Sequence, residues 1–227
     1  MADRIQDVGT ELFYHLQFGS VRGRSAVEVL YRSVVKVRRC IDEEGSVGWG
    51  FWYEKGGFQN IVGEEVLDCL AGVEGTRGLC RWVSHFVADR TFEVSCHRKV
   101  RGVGTSSKGV PQGSSLSPVL FLIWMAPILR EMERRIVEEV PGVRVEFASC
   151  VNYLHCGPYV GRRRVGGLHP IGRKYQMADL MDRVSRTIKE VAGEQVLPLA
   201  EDKEERLILR ETTGRRGRHG VAEKVKW

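Results

Sequence analysis

The segment at residues 109–140 restricts the fold of this chain more than any other part of the sequence. It opens with the short run GVPQG and passes through Ser117-Pro118 into a helical pattern that contains Pro127, a predicted kink. Serine at the N-cap and proline at the first helical position favour a helix start there. Residues 120–125 are apolar on every side, which predicts burial, whereas the second half of the helix is charged. The chain must therefore build a core around this helix.

The remaining elements follow from apolar periodicity. Ser25 and Glu28 form a capping box, and the apolar positions Val27, Leu30, Val34, Val37 and Ile41 predict an amphipathic helix that ends before Gly45. Helices are also predicted at residues 64–70, 76–89 and 177–192, strands at 47–53, 143–148 and 206–209, a second strand ending near Leu154, and a hairpin at 91–103. Residues 1–24, 160–175 and 211–220 are predicted to be irregular, and residues 221–227 to begin another strand. This order predicts a single α+β domain in which helices cover one face of a mostly antiparallel sheet.

The positive net charge of the chain weakly favours a polyanionic partner. The formal net charge is +6, and basic residues cluster among glycines at Arg162–164, at Arg173-Lys174 and at 215–219. These runs are either solvated loops or phosphate contacts, and the sequence leaves both interpretations open.

The cysteines and the hydropathy pattern limit where such a chain works. Six scattered cysteines without a C-x-x-C pair predict reduced thiols in an intracellular protein, cytoplasmic or nuclear, and no zinc site. No apolar run is long enough to span a membrane, and the amino-terminal residues lack the apolar segment of a secretory signal. Four tryptophans, Trp49, Trp52, Trp82 and Trp124, are predicted to lie in the core.

The run Gly109-Val110-Pro111-Gln112-Gly113, followed by S-S-L-S-P and an apolar helix, resembles the central motif of reverse transcriptases of non-LTR (LINE-type) retrotransposons. Other segments agree in order and spacing: Gln17-Phe18-Gly19 with Gly23-Arg24-Ser25, Lys55-Gly56-Gly57-Phe58-Gln59-Asn60, Asp89-Arg90-Thr91-Phe92, Ser149–Gly157, Leu197-Pro198-Leu199 with Asp202-Lys203-Glu204, and Glu223-Lys224-Val225-Lys226-Trp227. The resemblance implies a polymerase palm, an antiparallel sheet covered by helices, over residues 47–227, including the basic loop 160–175. It implies part of the fingers over residues 1–46 and a missing thumb.

The same resemblance assigns roles to individual residues. Pro111, Gln112 and Gly113 would form the floor under the templating base and the incoming nucleotide, with Gly109 and Gly113 allowing close backbone approach. Arg22 and Arg24 would contact the triphosphate or the template, although a solvated pair is the alternative. Lys203 would be the general acid that assists the leaving pyrophosphate, if the chain is active. The implied partners are an RNA template and a DNA primer, or an RNA–DNA duplex.

The family's metal-binding aspartates are absent. An intact member is expected to hold Mg²⁺ between one Asp that follows the first palm strand and two Asp in a hairpin turn. Those positions are Tyr53, Asn152 and Tyr153 here, so no metal ligand is assigned and the domain is expected to be catalytically inactive. Glu54 and Asp202 are the candidate substitutes. Glu54 would point to the opposite face of the strand from Tyr53, and Asp202 lies in a charged turn.

The sequence therefore supports four functional hypotheses. The first is an inactive reverse transcriptase (RNA-directed DNA polymerase) domain derived from a retrotransposon. The second is a weakly active polymerase with unusual metal ligands. The third is a non-enzymatic nucleic-acid-binding remnant, and the fourth is a remnant with no function.

Overall fold

The computed structural model describes the backbone except at positions 9, 45, 140–142, 145–147, 151–152, 156–160, 163–173, 196, 215–216 and 225–227. Side chains are described outside those positions and outside residues 10, 43–46, 101, 140–177 and 210–227. The chain divides into two compact units. The first unit contains Met1–His15 and Gly56–Pro127, and the second contains Leu16–Lys55 and Ile128–Trp227.

Helices and strands alternate along the chain. The helices are α1 (Ala2–Val8), α2 (Ala26–Glu44), α3 (Gly57–Asn60), α4 (Gly63–Ala71), α5 (Arg77–Val87), α6 (Ser117–Glu139) and α7 (Lys174–Glu194), with 3-10 turns at Thr10–Leu12 and Glu201–Lys203. The strands are β1 (Ser46–Phe51), β2 (Arg90–Cys96), β3 (Lys99–Ser106), β4 (Val143–Arg144), β5 (Ala148–Cys150), β6 (Tyr153–His155), β7 (Gly161–Arg162), β8 (Glu205–Gly214) and β9 (Gly217–Lys224). The mixture of helices and antiparallel strands is compatible with the predicted α+β class.

The apolar half of α6 is buried as its sequence predicts. Every residue from 120 to 125 is at most 2% exposed. Trp124 also satisfies its one polar atom, because its indole Nε1 donates a hydrogen bond to Glu65 Oε2 at 2.6 Å. The helix continues through Pro127 and ends at Glu139, close to the predicted boundary.

Most other elements of the first unit also match the sequence. The predicted helices at 64–70 and 76–89 are α4 and α5, and the predicted hairpin is β2–β3, which pairs antiparallel. Two predictions are wrong. Residues 2–8 form α1 instead of irregular chain, and Trp82 is 41% exposed and stacks on Phe86 instead of entering the core.

The second unit contains a three-stranded antiparallel sheet in the order β1-β8-β9. Val47 lies opposite Leu209 in this sheet and both pack near Val37 of α2. Arg206 lies opposite Gly50 in the same sheet and forms an ion pair with Asp182 of α7. Val47 and Gly50 are three residues apart in β1, and successive strand residues alternate between faces, so Val47 and Arg206 lie on opposite faces of the sheet. The expectation of helices on one face is therefore wrong, since α2 and α7 cover opposite faces.

Helix α2 begins as predicted but packs through another stripe. Its start is confirmed by the backbone N–H of Glu28, which donates to Ser25 Oγ at 3.2 Å. The buried stripe is formed by Val29, Ser33 and Val37. Of the predicted stripe, Val37 is buried, but Val27, Leu30 and Val34 are 74%, 49% and 57% exposed.

The carboxyl-terminal region contains more strand than the sequence suggested. Residues 211–220 were expected to form a loop, but β8 runs to Gly214 and β9 begins at Gly217, and the two strands pair. The ladder needs only backbone groups, which explains why a polar sequence gave no signal. Of the predicted basic loop 160–175, residues 161–162 form β7 and 174–175 belong to α7. Residue 160 and residues 163–173 of that predicted loop lie outside the described residues.

Two further findings concern the cysteines and the membrane. Cys40, Cys69, Cys80 and Cys96 are not disulfide-bonded, and Cys150 and Cys156 lie outside the described side chains. Among the helices that the structure describes, none combines the length and apolar character needed to cross a bilayer.

Candidate functional site

Two segments that the sequence assigns to different motifs meet at the end of β1. The backbone N–H of Lys55 donates to the Pro198 carbonyl at 2.8 Å, and the N–H of Ala200 donates to the Tyr53 carbonyl at 2.7 Å. Glu54 and Leu199 form an antiparallel bridge between these bonds. The position expected for the first metal-binding Asp is thereby attached to the segment that leads into Lys203.

Lys203 and Tyr53 are in direct contact. Ala200 is followed by the 3-10 turn, in which the Lys203 N–H donates to the Ala200 carbonyl at 3.0 Å. The Lys203 ammonium Nζ then lies 4.2 Å from the centroid of the Tyr53 ring. This is a cation–π geometry at a surface-accessible site, because Lys203 is exposed and Tyr53 is half-buried.

A polar network attaches the turn that contains Lys203 to helix α7. Glu204 accepts a hydrogen bond from Ser185 Oγ at 2.6 Å and pairs with Lys189 at 2.8 Å and with Arg206 at 3.2 Å. Burial alone would raise the pKa of Glu204, but the bonds from Lys189 and Ser185 and the charge of Arg206 outweigh it and lower that pKa. Ser185 also accepts from Trp52 Nε1 at 3.4 Å. The network fixes the base of the turn and so limits where Lys203 can reach.

Glu54 is the most unusual ionisable group near this contact. It is 3% exposed, and neither carboxylate oxygen has a hydrogen-bond partner among the described residues. Desolvation by burial raises its pKa to about 8. It is therefore mostly protonated near neutral pH and supplies little negative charge to its surroundings.

The described residues at this place do not fit a Mg²⁺ ion. Such an ion needs several anionic or neutral oxygen ligands around it, but Tyr53 is a phenol, Glu54 is mostly neutral and Lys203 adds a positive charge. Asp202, the other candidate substitute, is exposed on the turn. Over the described part of the chain, no group of three His, Cys, Asp or Glu side chains is placed to hold a metal.

The second expected metal position falls on a hairpin, as the resemblance implies. Strands β5 and β6 pair antiparallel, with Cys150 opposite Tyr153 across a two-residue connection. Strand β6 also lies beside β1 in the second unit. Asn152 lies outside the described residues, and only the backbone of Tyr153 is described.

The GVPQG loop is fixed by its own unit. Gly109 N–H donates to the Ile61 carbonyl at 2.9 Å, Val110 N–H donates to the Phe58 carbonyl at 2.8 Å, and Arg90 Nη2 donates to the Gly109 carbonyl at 2.8 Å. Ser117 Oγ donates to the Pro111 carbonyl at 2.6 Å, so this side chain secures the loop.

These contacts give Gly109 a role in packing. Gly109 has φ +72°, and a Cβ there would lie 2.7 Å from the Phe58 carbonyl oxygen. Its small size therefore serves packing against α3, whereas we expected it to serve a nucleotide. Gly113 has φ +90° with open space around it, and Pro111 and Gln112 are exposed. The tip of the loop is thus accessible to a ligand.

The two predicted arginines have structural contacts of their own. Arg24 Nη1 donates to the Gln17 carbonyl at 2.7 Å, and its guanidinium lies 5.6 Å from the Phe18 ring centroid. Arg22 is exposed. Their predicted contact with a triphosphate or a template stays a prediction, as do the roles of Pro111, Gln112 and Gly113.

Sequence reasoning missed how Glu54 and Glu204 are used. Glu204 was named only as part of the Asp202-Lys203-Glu204 motif, with no role of its own, yet it is the centre of the network that secures Lys203. Glu54 was considered only as a substitute ligand. A signal for its burial was present, since it continues the apolar run of residues 47–53.

No family model matches the chain, and no curated protein matches it. A search of solved structures does find a neighbour with the same arrangement of elements. The chain has a telomerase-like fold. An apo telomerase from Candida tropicalis, truncated from its C-terminal domain, superposes with a TM-score of 0.60 at 12% sequence identity.

The similarity extends over 99% of this chain but only 40% of the telomerase chain. At such low identity it shows the fold alone. It is compatible with the predicted polymerase-like fold. The similarity does not show the non-LTR retrotransposon origin that the sequence motifs suggested.

Proposed function

We propose that this chain is a reverse-transcriptase-like polymerase domain, of the non-LTR retrotransposon kind, that binds nucleic acid without extending it. The contact between Lys203 and Tyr53 is the observation that supports this proposal best. The motif resemblance assigned these two residues independently to one catalytic centre, and the Lys203 Nζ lies 4.2 Å from the Tyr53 ring centroid. The telomerase-like fold is consistent with this assignment, since telomerase is related to reverse transcriptases.

Loss of catalysis follows from the chemistry of the same place. The reaction expected of the family joins a primer hydroxyl to a nucleoside triphosphate, and it needs concentrated negative charge to hold two metal ions. Tyr53 supplies no carboxylate, and Lys203 adds a positive charge beside it. Asn152 and Tyr153 remove the other two carboxylates by sequence.

Binding of nucleic acid does not require those carboxylates. The formal net charge of +6 favours a polyanion, and the exposed tip of the GVPQG loop leaves Pro111 and Gln112 available. An RNA template with a DNA primer, or an RNA–DNA duplex, is the ligand that the resemblance implies.

The test is primer extension on an RNA template with Mg²⁺ or Mn²⁺, using the chain and a repaired variant with Tyr53→Asp, Asn152→Asp and Tyr153→Asp. We expect no extension by the chain and measurable extension by the repaired variant. The repaired variant with Lys203→Ala is the matched control for the leaving-group role, and it should extend more slowly.

Each other outcome has a definite meaning. Extension by the unrepaired chain would contradict the inactive assignment and would direct attention to other metal ligands. Salt-independent or absent binding of an RNA–DNA duplex would contradict the nucleic-acid-binding part, because phosphate-driven affinity falls steeply as salt concentration rises.

A further inference from the structure

The β2–β3 hairpin exposes apolar side chains that its own unit does not cover. Every residue of 91–100 is exposed. Phe92, Val94, Val100 and Val103 are 51–67% exposed. Exposed apolar side chains grouped on one hairpin mark it as a candidate binding surface.

The strand register divides the hairpin into two unequal faces. Pairing places Phe92 opposite Gly104, Val94 opposite Gly102 and Cys96 opposite Lys99 on one face, which we call the aromatic face. The opposite face contains the acid Glu93, which pairs with Val103. The acidic side chain of the hairpin therefore points away from the aromatic face and from Lys99.

Two glycines shape the aromatic face: Gly102 leaves open space, and Gly104 leaves room for the Phe92 ring. Among the described residues other than its chain neighbours, no atom lies within 4 Å of where a Cβ of Gly102 would be. A Cβ at Gly104 would meet the Phe92 ring at 2.4 Å. The Phe92 ring therefore reaches across the strand pair and covers the Gly104 backbone with its outer edge. Because half of the Phe92 side chain remains exposed, the ring presents an accessible aromatic surface.

Positive charge lies at the end of the same hairpin. His97 and Arg98 have φ of +51° and +59°, which forms a tight two-residue turn of the primed type. Arg98 and Lys99 are both exposed. At ~3.3 Å per residue, the turn is roughly 17 Å from Phe92.

We propose that the aromatic face of the β2–β3 hairpin binds single-stranded nucleic acid, with a base on Phe92 and phosphates at Arg98 and Lys99. Single-strand binding surfaces combine these two features, an aromatic side chain for stacking and basic side chains for the backbone. The proposal deepens the proposed function and rests on it. The positive charges of Arg98 and Lys99 favour a nucleic acid over an apolar protein segment, because an apolar segment would leave both side chains without a charged partner.

The test measures binding of a fluorescent oligouridylate of ~20 nucleotides to the full chain by anisotropy across a range of salt concentrations. Phe92→Ala and Phe92→Leu should each weaken binding about tenfold with the salt dependence unchanged, whereas Phe92→Tyr should bind like the unmodified chain. Arg98→Gln with Lys99→Gln should reduce the slope of log K against log salt by about 1.4, since each phosphate contact to a single strand contributes about 0.7.

Two controls separate this surface from general effects. Val103→Ala truncates an exposed apolar residue on the opposite face, and Arg38→Gln with Arg39→Gln removes the same charge from α2; neither should change affinity more than about twofold. Circular dichroism melting confirms that every variant folds, and Phe92→Leu retains the apolar cover over Gly104 if Phe92→Ala does not fold.

The outcomes distinguish the two proposals. If the chain binds the oligonucleotide with normal salt dependence and the hairpin variants bind equally well, the hairpin proposal is overturned and the proposed function stands. If the unmodified chain does not bind the oligonucleotide or an RNA–DNA duplex, both are overturned. Dimerisation that the Phe92 variants abolish, without any effect on nucleic-acid binding, would assign the aromatic face to a second copy instead.

Discussion

The carboxyl group of Glu54 should make the stability of this protein fall as pH rises. Its side chain is 3% exposed, and its oxygens have no hydrogen-bond partner among the described residues. Burial raises its pKa from the usual 4.5 to about 8. The folded chain therefore binds more protons at this group than the unfolded chain between those two values. Stability from this group is fully present below pH 4.5 and is lost as pH rises through 8.

The size of the effect follows from the difference between the two pKa values. One pKa unit corresponds to about 1.4 kcal/mol, so the free energy of unfolding should fall by about 4 kcal/mol between pH 5 and pH 8.5 through Glu54 alone. Proteins of this kind are stable by only about 5–15 kcal/mol in total. The Glu54 carboxyl group alone would thus remove a large part of that total above pH 8.

Glu54→Gln is the matched perturbation, because it preserves the shape of the side chain and removes its ionisation. Urea unfolding monitored by tryptophan fluorescence at several pH values gives the free energy of unfolding. The chain and Glu54→Gln should differ by less than about 1 kcal/mol at pH 5, and the variant should be more stable by about 4 kcal/mol at pH 8.5. Glu54→Leu should be the more stable protein at both pH values, because it also removes the unbonded polar group.

Glu201→Gln is the control, because Glu201 is an exposed acid on the nearby 3-10 turn and its loss should leave the pH profile unchanged. A difference between the chain and Glu54→Gln that stays constant from pH 5 to pH 8.5 would refute the reasoning. It would mean that Glu54 is ionised in the folded protein and has found a counter-charge.

Three further predictions concern local packing, each measured as a free energy of unfolding by urea. Gly109→Ala should cost about 2–4 kcal/mol, because it adds a clash with the Phe58 carbonyl to the strain of a positive φ, whereas Gly113→Ala should show only the strain, about 1–2 kcal/mol; equal costs would contradict the packing role of Gly109. Ser25→Ala should cost about 1 kcal/mol through loss of the α2 N-cap, and a neutral result would show that the cap is dispensable. Ser185→Ala should cost about 1–3 kcal/mol, since it removes a hydrogen bond from both Trp52 and Glu204, and no loss would mean that water replaces the hydroxyl.

The sequence predicted those elements whose signal is local. The α2 cap depends on two residues three apart, Ser25 and Glu28, and the structure contains that bond. The buried half of α6 is apolar on every side, so no choice of face was needed. In both cases the neighbouring residues alone determine the outcome.

Helix α2 shows where local reasoning fails. Its sequence contains two apolar stripes, one through Val27, Leu30 and Val34 and another through Val29 and Val37. Periodicity alone cannot decide which stripe is buried, because that choice depends on tertiary contacts: Val29 packs against Phe18, and Val37 packs against Val47 of β1. The structure buries the second stripe, of which only Val37 was predicted to be buried.

The candidate site likewise contains some features that the sequence predicted and others that depend on the fold. The resemblance located Tyr53 and Lys203, and the structure brings them into contact. The role of Glu204 depends on Ser185, Lys189 and Arg206, which converge only in the folded chain. The packing role of Gly109 likewise depends on Phe58, about fifty residues earlier.

The large sequence separation between the paired strands β1 and β8 has a consequence for synthesis on the ribosome. Strand β1 ends at Phe51, but its partner β8 begins only at Glu205. At about 5–20 residues per second, β1 waits roughly 8–30 s before synthesis of its partner strand begins. During that interval residues 47–53, an apolar and aromatic run, have an unpaired edge that can join another nascent chain. Production of this protein should therefore depend on chaperone capacity more than its final stability suggests.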